Sequence, residues 1–201
     1  MIADGGGRRM GRAARTAGAL VVAAGALAGC SEAEPASATL PTTSAQAAPT
    51  SEALPPLGPA DFPMPPEART QDGPGAEAFT RYYIGLINRT STIMDAVPLR
   101  EFSSNCRDCD RIATFVDDYA ARGYRYQGGI LTITWMGSAF EPGDTVEVGF
   151  VADQTELQVV DGSGNAIPEL SSRAYPGLNS GIAASWDDER NTWVVTSLTL
   201  G

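Results

Sequence analysis

The sequence predicts an α+β domain, with N-terminal helices packed on a curved antiparallel sheet and a disordered tether ahead of them. Three observations predict it. Apolar residues recur at three- and four-residue spacing up to Gly123 and alternate after it, so the period switches from helical to extended at one glycine. Of the 36 residues 31–66, 25 are Pro, Ala, Ser or Thr, nine of them proline and none basic, too little apolar surface to offset the entropy of ordering. Segment 67–201 holds 14 of the 15 aromatic residues, and its length of about 135 residues is near the commonest domain size.

Ahead of the tether, residues 1–29 read as an export signal. Arg8, Arg9, Arg12 and Arg15 precede an uncharged apolar run, Ala17 to Ala28. That run is shorter than the roughly 20 residues a membrane-spanning helix needs. It ends in Leu27-Ala28-Gly29-Cys30, which resembles the lipobox of bacterial lipoproteins. The resemblance implies cleavage before Cys30, a diacylglyceryl group on its thiol, and a protein lipid-anchored to the extracytoplasmic face of the cell membrane. Residues 30–66 are then the lipidated cysteine and tether, and 67–201 the folded domain.

Charge and composition bound the partners. The chain has 14 basic residues, all arginine, 24 acidic residues and no histidine, for a net charge of -10. The leader carries four Arg and one Asp, so residues 30–201 keep 10 basic and 23 acidic groups, a net of -13. Such a chain is repelled by anionic headgroups and by nucleic acid. Membrane contact is therefore expected through the lipid alone, with an envelope protein or cell-wall component as partner. The missing histidine excludes Ser-His-Asp and Cys-His machinery and histidine-ligated zinc within the chain.

Within the domain, Phe79, Tyr83, Leu86, Ile87, Thr90 and Met94 form one apolar stripe, predicting a helix over 75–95. Pro98 limits a short second turn to Ser103. Asn105 is the expected N-cap of a further helix, with Asp108 and Asp110 in its first turn and Ile112, Phe115, Val116 and Tyr119 as its buried stripe, ending at Gly123. Leu131, Ile133 and Trp135 then alternate with threonines. Val146, Val148 and Phe150 continue the alternation after the turn 141–144, and Leu157 and Val159 after a tight connection at Asp153-Gln154. Two last strands, Gly181 to Trp186 and Thr192 to Leu200, complete an antiparallel meander. Gly128-Gly129 inside the first strand suggests a bulge.

This order of elements, closing on Trp186, Trp193-Val194-Val195, Leu198 and Leu200, resembles the nuclear transport factor 2-like (cystatin-like roll) superfamily. More narrowly, over about 66–136, Pro66-Glu67-Ala68-Arg69, Gly75-Ala76-Glu77-Ala78-Phe79, Tyr82-Tyr83, Asn88, Pro98-Leu99, the Cys106/Cys109 pair and Gly128-Gly129 resemble an actinobacterial lipoprotein family whose members carry no assigned activity. The absence of lysine fits the high-GC genomes of that group.

Few constellations could carry chemistry. Cys106 and Cys109 at i, i+3 read as a structural disulfide, with a redox dithiol and a metal site as alternatives. Asp161-Gly162-Ser163-Gly164-Asn165 has the look of a calcium loop, but Ala166 and Ser172 stand where that motif needs Gly and Glu, so a hairpin turn is expected. Asp117-Asp118 and Asp187-Asp188-Glu189 read as solvated faces. The roll resemblance implies a pocket between helix and sheet with a carboxylate base beside tyrosine donors; Asp95, Tyr82, Tyr83 and Trp135 are its nearest candidates. Against this, the periodicity puts Tyr83 and Trp135 in the core and makes Asp95 a cap for the following turn. No motif implies a cofactor or a metal. The expected function is that of a non-catalytic binding or interaction module held outside the membrane; an isomerase or hydratase using Asp95 and a carrier of an apolar ligand are the alternatives.

Overall fold

The computed structural model describes residues 54–141 and 145–201. The expected leader, Cys30 and the tether up to residue 53 lie outside those residues.

Helix α1 spans Gly73–Ile93, with Asp72 as N-cap accepting from the Gly75 N–H at 2.7 Å and Pro74 in its first turn. It starts two residues earlier than the apolar stripe suggested, because the Asp-x-Pro cap precedes the stripe. A side chain at Gly75 would overlap the Thr70 carbonyl that passes across this cap. Met94, in the left-handed conformation at φ 57°, ends the helix by donating its N–H to the Thr90 carbonyl. Helix α2 is a single turn, Val97–Glu101, shorter than the expected 98–103.

Helix α3 spans Arg107–Ala121 and is capped by Cys106, not Asn105. Asn105 stands at φ 55°, outside the extended conformation an N-cap needs. The Cys106 Sγ accepts from the Cys109 N–H at 3.3 Å and is also disulfide-bonded to Cys109, with the two Cα atoms 5.2 Å apart. Both cysteines are buried at 1% exposure, which leaves this disulfide out of reach of a redox partner in the folded chain. On α3 only Cys109, Ala113 and Val116 are fully buried. Phe115 is 45% exposed. It lies one position around the helix from Val116, and the buried stripe is narrower than its hydrophobicity implied.

Six strands follow: β1 Arg125–Gly128, β2 Leu131–Met136, β3 Thr145–Gln154, β4 Leu157–Val160, β5 Tyr175–Asp187 and β6 Thr192–Leu200. The arrangement departs from a simple meander. The main antiparallel sheet runs β2-β3-β5-β6, while β4 leaves that order and pairs with β1 in a second, two-stranded sheet. Gly128 and Gly129, at φ 72° and 71°, are the corner between the two sheets rather than a bulge within one strand. Strand β3 continues through Gln154, where a turn had been expected, and β5 begins six residues before Gly181. The bulge occurs instead between Ile133 and Trp135. Leu131 stays buried, and the extra residue turns Trp135 onto the opposite face at 60% exposure, so the expectation of a core tryptophan fails.

The core lies between the helices and the inner face of the main sheet. Phe79, Tyr83, Leu86, Leu99 and Phe102 meet Val146, Val148, Phe150, Ile182 and Val195, all under 4% exposed. Packed chain also begins earlier than residue 67. Met64 is buried and Leu57 and Phe62 pack against the same cluster. The Phe62 ring stacks on Tyr82 with centroids 5.3 Å apart, over Gly85, where a Cβ would come within 2.6 Å of it. Asp61 accepts two hydrogen bonds from Arg89, at 2.9 and 2.7 Å. The C-terminal part of the proline-rich segment is thus a strap laid on α1. Arg69 carries the tie onward by donating to the Arg190 and Asn191 carbonyls before β6.

Candidate functional site

The four side chains singled out as pocket candidates do not come together. Tyr82 and Tyr83 fill the interior, 4% and 0% exposed, and burial holds both hydroxyls well above the ordinary tyrosine range. Tyr82 donates to the Phe62 carbonyl at 3.4 Å. Tyr83 Oη makes no hydrogen bond of good geometry, although the Ser103 hydroxyl, which donates to the Leu99 carbonyl at 3.1 Å and keeps its lone pairs, stands beside it. Asp95 lies in the connection between α1 and α2, its side chain 39% exposed, accepting from Arg89 at 3.3 Å and from the Val97 N–H at 3.1 Å. It was expected to cap the following turn, but the N-cap position of α2 is Ala96, and Asp95, one residue earlier, only accepts from the Val97 N–H; it lines none of the clefts among the described residues. Trp135 is on the far side of the sheet.

A buried, unpartnered hydroxyl is a destabilising feature, because its desolvation is uncompensated. Tyr83→Phe should therefore leave the chain as stable as before or more so, by up to about 1 kcal/mol, in a thermal melt. A clear loss of stability would show that the hydroxyl is bonded in solution.

Among the described residues, an opening between helices and sheet lies elsewhere, at the end where the two sheets meet. It is a cleft of about 270 Å³ among α1, α3, the β1–β2 corner and the ends of β3, β4 and β6. Ile87, Ile112, Val116, Leu131, Leu157 and Leu200 form its apolar walls, and Phe115 stands at its edge. Three local devices hold it open. The Asn88 amide clamps the Leu131 backbone at both ends, donating to its carbonyl and accepting from its N–H, each at 2.9 Å. Thr155 Oγ1 accepts from the Ile130 N–H at 3.0 Å on the other side of the corner. Gly129 lets Leu157 approach, since a Cβ there would meet its Cδ1 at 2.7 Å.

Polar groups ring the mouth: Ser91, Arg111, Tyr126 and Gln154. Tyr126 packs edge-on to Tyr119 at 5.6 Å, and its hydroxyl is pushed up to about 12, first by burial and then by Tyr119, so it is a neutral hydrogen-bonding group at any ordinary pH. Arg111 uses its Nε on Asp108 at 3.1 Å, and its terminal nitrogens have no ion-pair partner among the described residues. This is an apolar slot with a few convergent polar groups, the general form of a small-ligand site, and it falls just below the usual range of about 300–1,000 Å³. A larger depression of about 460 Å³ beside β4, lined by Glu156, Gln158 and Arg173, lies on the outer surface.

Of the cleft residues, Ile87, Ile112, Val116, Leu131 and Leu157 were legible as apolar positions of helices and strands. That they border an opening was not. Tyr126, Gln154 and Arg111 carried no local signal beyond the neighbouring Gly-Gly pair.

Other sequence candidates resolve into structure. Asp161 turns its carboxylate onto its own loop, accepting from the Ser163 and Asn165 N–H groups at 2.8 and 2.9 Å, and those bonds hold it below the usual carboxylate range. The loop is a hairpin turn closed by the Val160–Ala166 bridge. No cluster of three or more metal-ligating side chains occurs among the described residues.

No family model matches the chain, and no curated protein matches it. Solved structures do. The intermembrane space region of the chloroplast protein ARC6 aligns at 14% identity and TM-score 0.47, over 65% of this chain and 97% of that one. Rd1NTF2_05, in a form with five substitutions, aligns at 12% and 0.35, over 63% and 99%. Aln2 from a Streptomyces species aligns at 12% and 0.37, over 65% and 93%. The α+β fold itself, helices packed on an antiparallel sheet, stands on the register and packing described above.

Proposed function

We propose that the chain is a lipid-anchored, extracytoplasmic binding module with a nuclear transport factor 2-like roll, whose mouth cleft takes one small apolar group. The cleft is the observation that carries this reading. At about 270 Å³ it has room for a single ring or a short branched chain, with hydrogen-bonding groups only at its rim. An isomerase or hydratase acting through Asp95 is disfavoured, since that carboxylate is engaged by Arg89 and a backbone N–H on the outer surface. The same cleft favours a second reading, a carrier of a small apolar ligand. Anchoring is supported by the Leu27-Ala28-Gly29-Cys30 sequence and by the acidic charge, which leaves acyl chains as the means of membrane attachment.

Both halves are testable on the full chain. Wild type should enhance the fluorescence of the neutral dye N-phenyl-1-naphthylamine, whose phenyl group is a single ring the cleft can admit with the naphthyl left at the rim, and Ile112→Trp, which fills the cleft, should weaken dye binding at least tenfold without lowering the melting temperature; equal binding would refute the cleft. Cys30→Ala should move the protein from membrane to soluble fraction in the cell that makes it. Retention on the membrane would refute the anchor.

A further inference from the structure

We propose that the outer face of the four-stranded sheet binds a neutral polysaccharide, held by Trp135 and Phe140 beside a trench floored by Gly149 and Gly181.

The register builds the trench. Gly149 of β3 pairs directly with Gly181 of β5, which pairs with Thr199 of β6, so the middle row across the sheet has almost no side chain. The row on one side is Trp135, Val151 and Asn179. The row on the other starts at Phe140, which exchanges both backbone hydrogen bonds with Glu147, at 2.8 and 2.7 Å, and runs on to Ser197. Directly paired residues share a face, so both aromatics project from the trench side. They stand on rows four β3 residues apart, roughly 13 Å at the usual strand rise. A void of about 240 Å³ lies over this floor.

Among the described residues, no packing contact requires either glycine. Neither Gly149 nor Gly181 has a positive φ. A Cβ on Gly149 would meet nothing within 4 Å, and one on Gly181 only the Val148 carbonyl at an ordinary 3.7 Å. Glycine weakens a strand interior, so two paired glycines that no packing requires make the bare floor a property of the surface. Trp135 and Phe140, 60% and 65% exposed, are a costly pair of aromatics to leave in water beside it. The Trp135 six-membered ring lies over Gly137, where a Cβ would meet its Cη2 at 3.1 Å, one strand out from Gly149 on the trench floor.

The chemistry selects the occupant. Glu147 is the one charged residue in these rows; no arginine stands in them, and a polyanion would be repelled by it and by a chain of net charge -10. What the face offers is aromatic surface for the C–H face of a sugar ring and, for its hydroxyls, the acceptor Glu147 and the two-way partners Asn179, Ser197 and Thr199. An exported domain, as proposed above, is one that meets such polymers, although the binding test does not depend on where the protein resides.

Isothermal titration of the full 201-residue chain with chitohexaose and cellohexaose should give saturable binding to at least one of them. Trp135→Ala should weaken it at least tenfold, and so should Gly181→Val, which raises the floor. Gly149→Ala, which no neighbour opposes, should weaken it while melting no lower than wild type, so that loss of binding is separated from loss of fold. Ile112→Trp, in the cleft, should bind like wild type. The proposal is overturned if neither sugar binds, if Gly149→Ala and Gly181→Val both bind as wild type, or if anionic oligogalacturonate binds as tightly. Self-association that the glycine variants abolish, with no sugar binding, would assign the face to a second copy instead.

Discussion

A chain cut to begin at residue 67 should melt on the order of 10–15 °C below one that begins at residue 54, although composition alone would count the twelve or so intervening residues as tether. The truncation removes the buried Met64 side chain, the Phe62 ring from Tyr82 and Gly85, the Leu57 contact and the Asp61–Arg89 pair. At roughly 1.5–3 kcal/mol for a fully buried apolar side chain, and less for the partly buried ones, the loss is about 4 kcal/mol. The exposed Asp61 carboxylate adds little to that. A net stability of about 5–15 kcal/mol makes this a large fraction of the whole. In the uncut chain, Met64→Asp should act the same way, by placing a charge in the core. Circular-dichroism melts of the three chains decide it, and equal midpoints for the 54- and 67-start chains would mean that the strap adds nothing to the fold.

Gly128→Ala should be the most damaging single methyl group in the domain, at roughly 3 kcal/mol or more. The residue stands at φ 72°, where any side chain costs about 1–2 kcal/mol, and a Cβ there would overlap the Glu156 carbonyl oxygen, which is backbone and cannot swing away. Because Gly128 opens the corner that sends β1 to β4 and β2 to β3, the damage should spread to the cleft. Denaturant melts should show a lower midpoint, and dye binding at the mouth should fall with it. An unchanged midpoint would show that the corner bends freely. Gly149→Ala supplies the contrast, being a strand glycine with open space above it and no positive φ.

Much of the fold is legible residue by residue. The stripe from Phe79 to Thr90 is the buried face of α1, Gly123 ends α3, and Val146, Val148 and Phe150 point inward as their alternation requires. Alternation and helical spacing are local consequences of burying one face, so they survive in sequence. The failures share one cause, since each depends on a partner distant in the chain. Trp135 keeps the alternation of its strand on paper, but a register shift against β3 turns it outward. Phe62 and Met64 look like tether because their neighbours are prolines, yet Phe62 finds a surface on α1 at Gly85 and Tyr82, and Met64 sits in the core with its sulfur accepting from Thr192 of β6. Asn105 has the right side chain for a cap and the wrong backbone angle, and Cys106 takes the place because its sulfur is also fixed by Cys109.

Sequence by itself therefore determined the α+β order of elements, the limits of the helices to within a few residues and the exclusion of histidine chemistry, because each follows from residue type and near-neighbour spacing. Tertiary structure alone decided which apolar residues line an opening and which fill the core, that β4 leaves the main sheet for β1, and that an indole faces outward beside two bare glycines. Those outcomes depend on pairing register and on how closely two backbones approach, and neither quantity is written in any one segment of the chain.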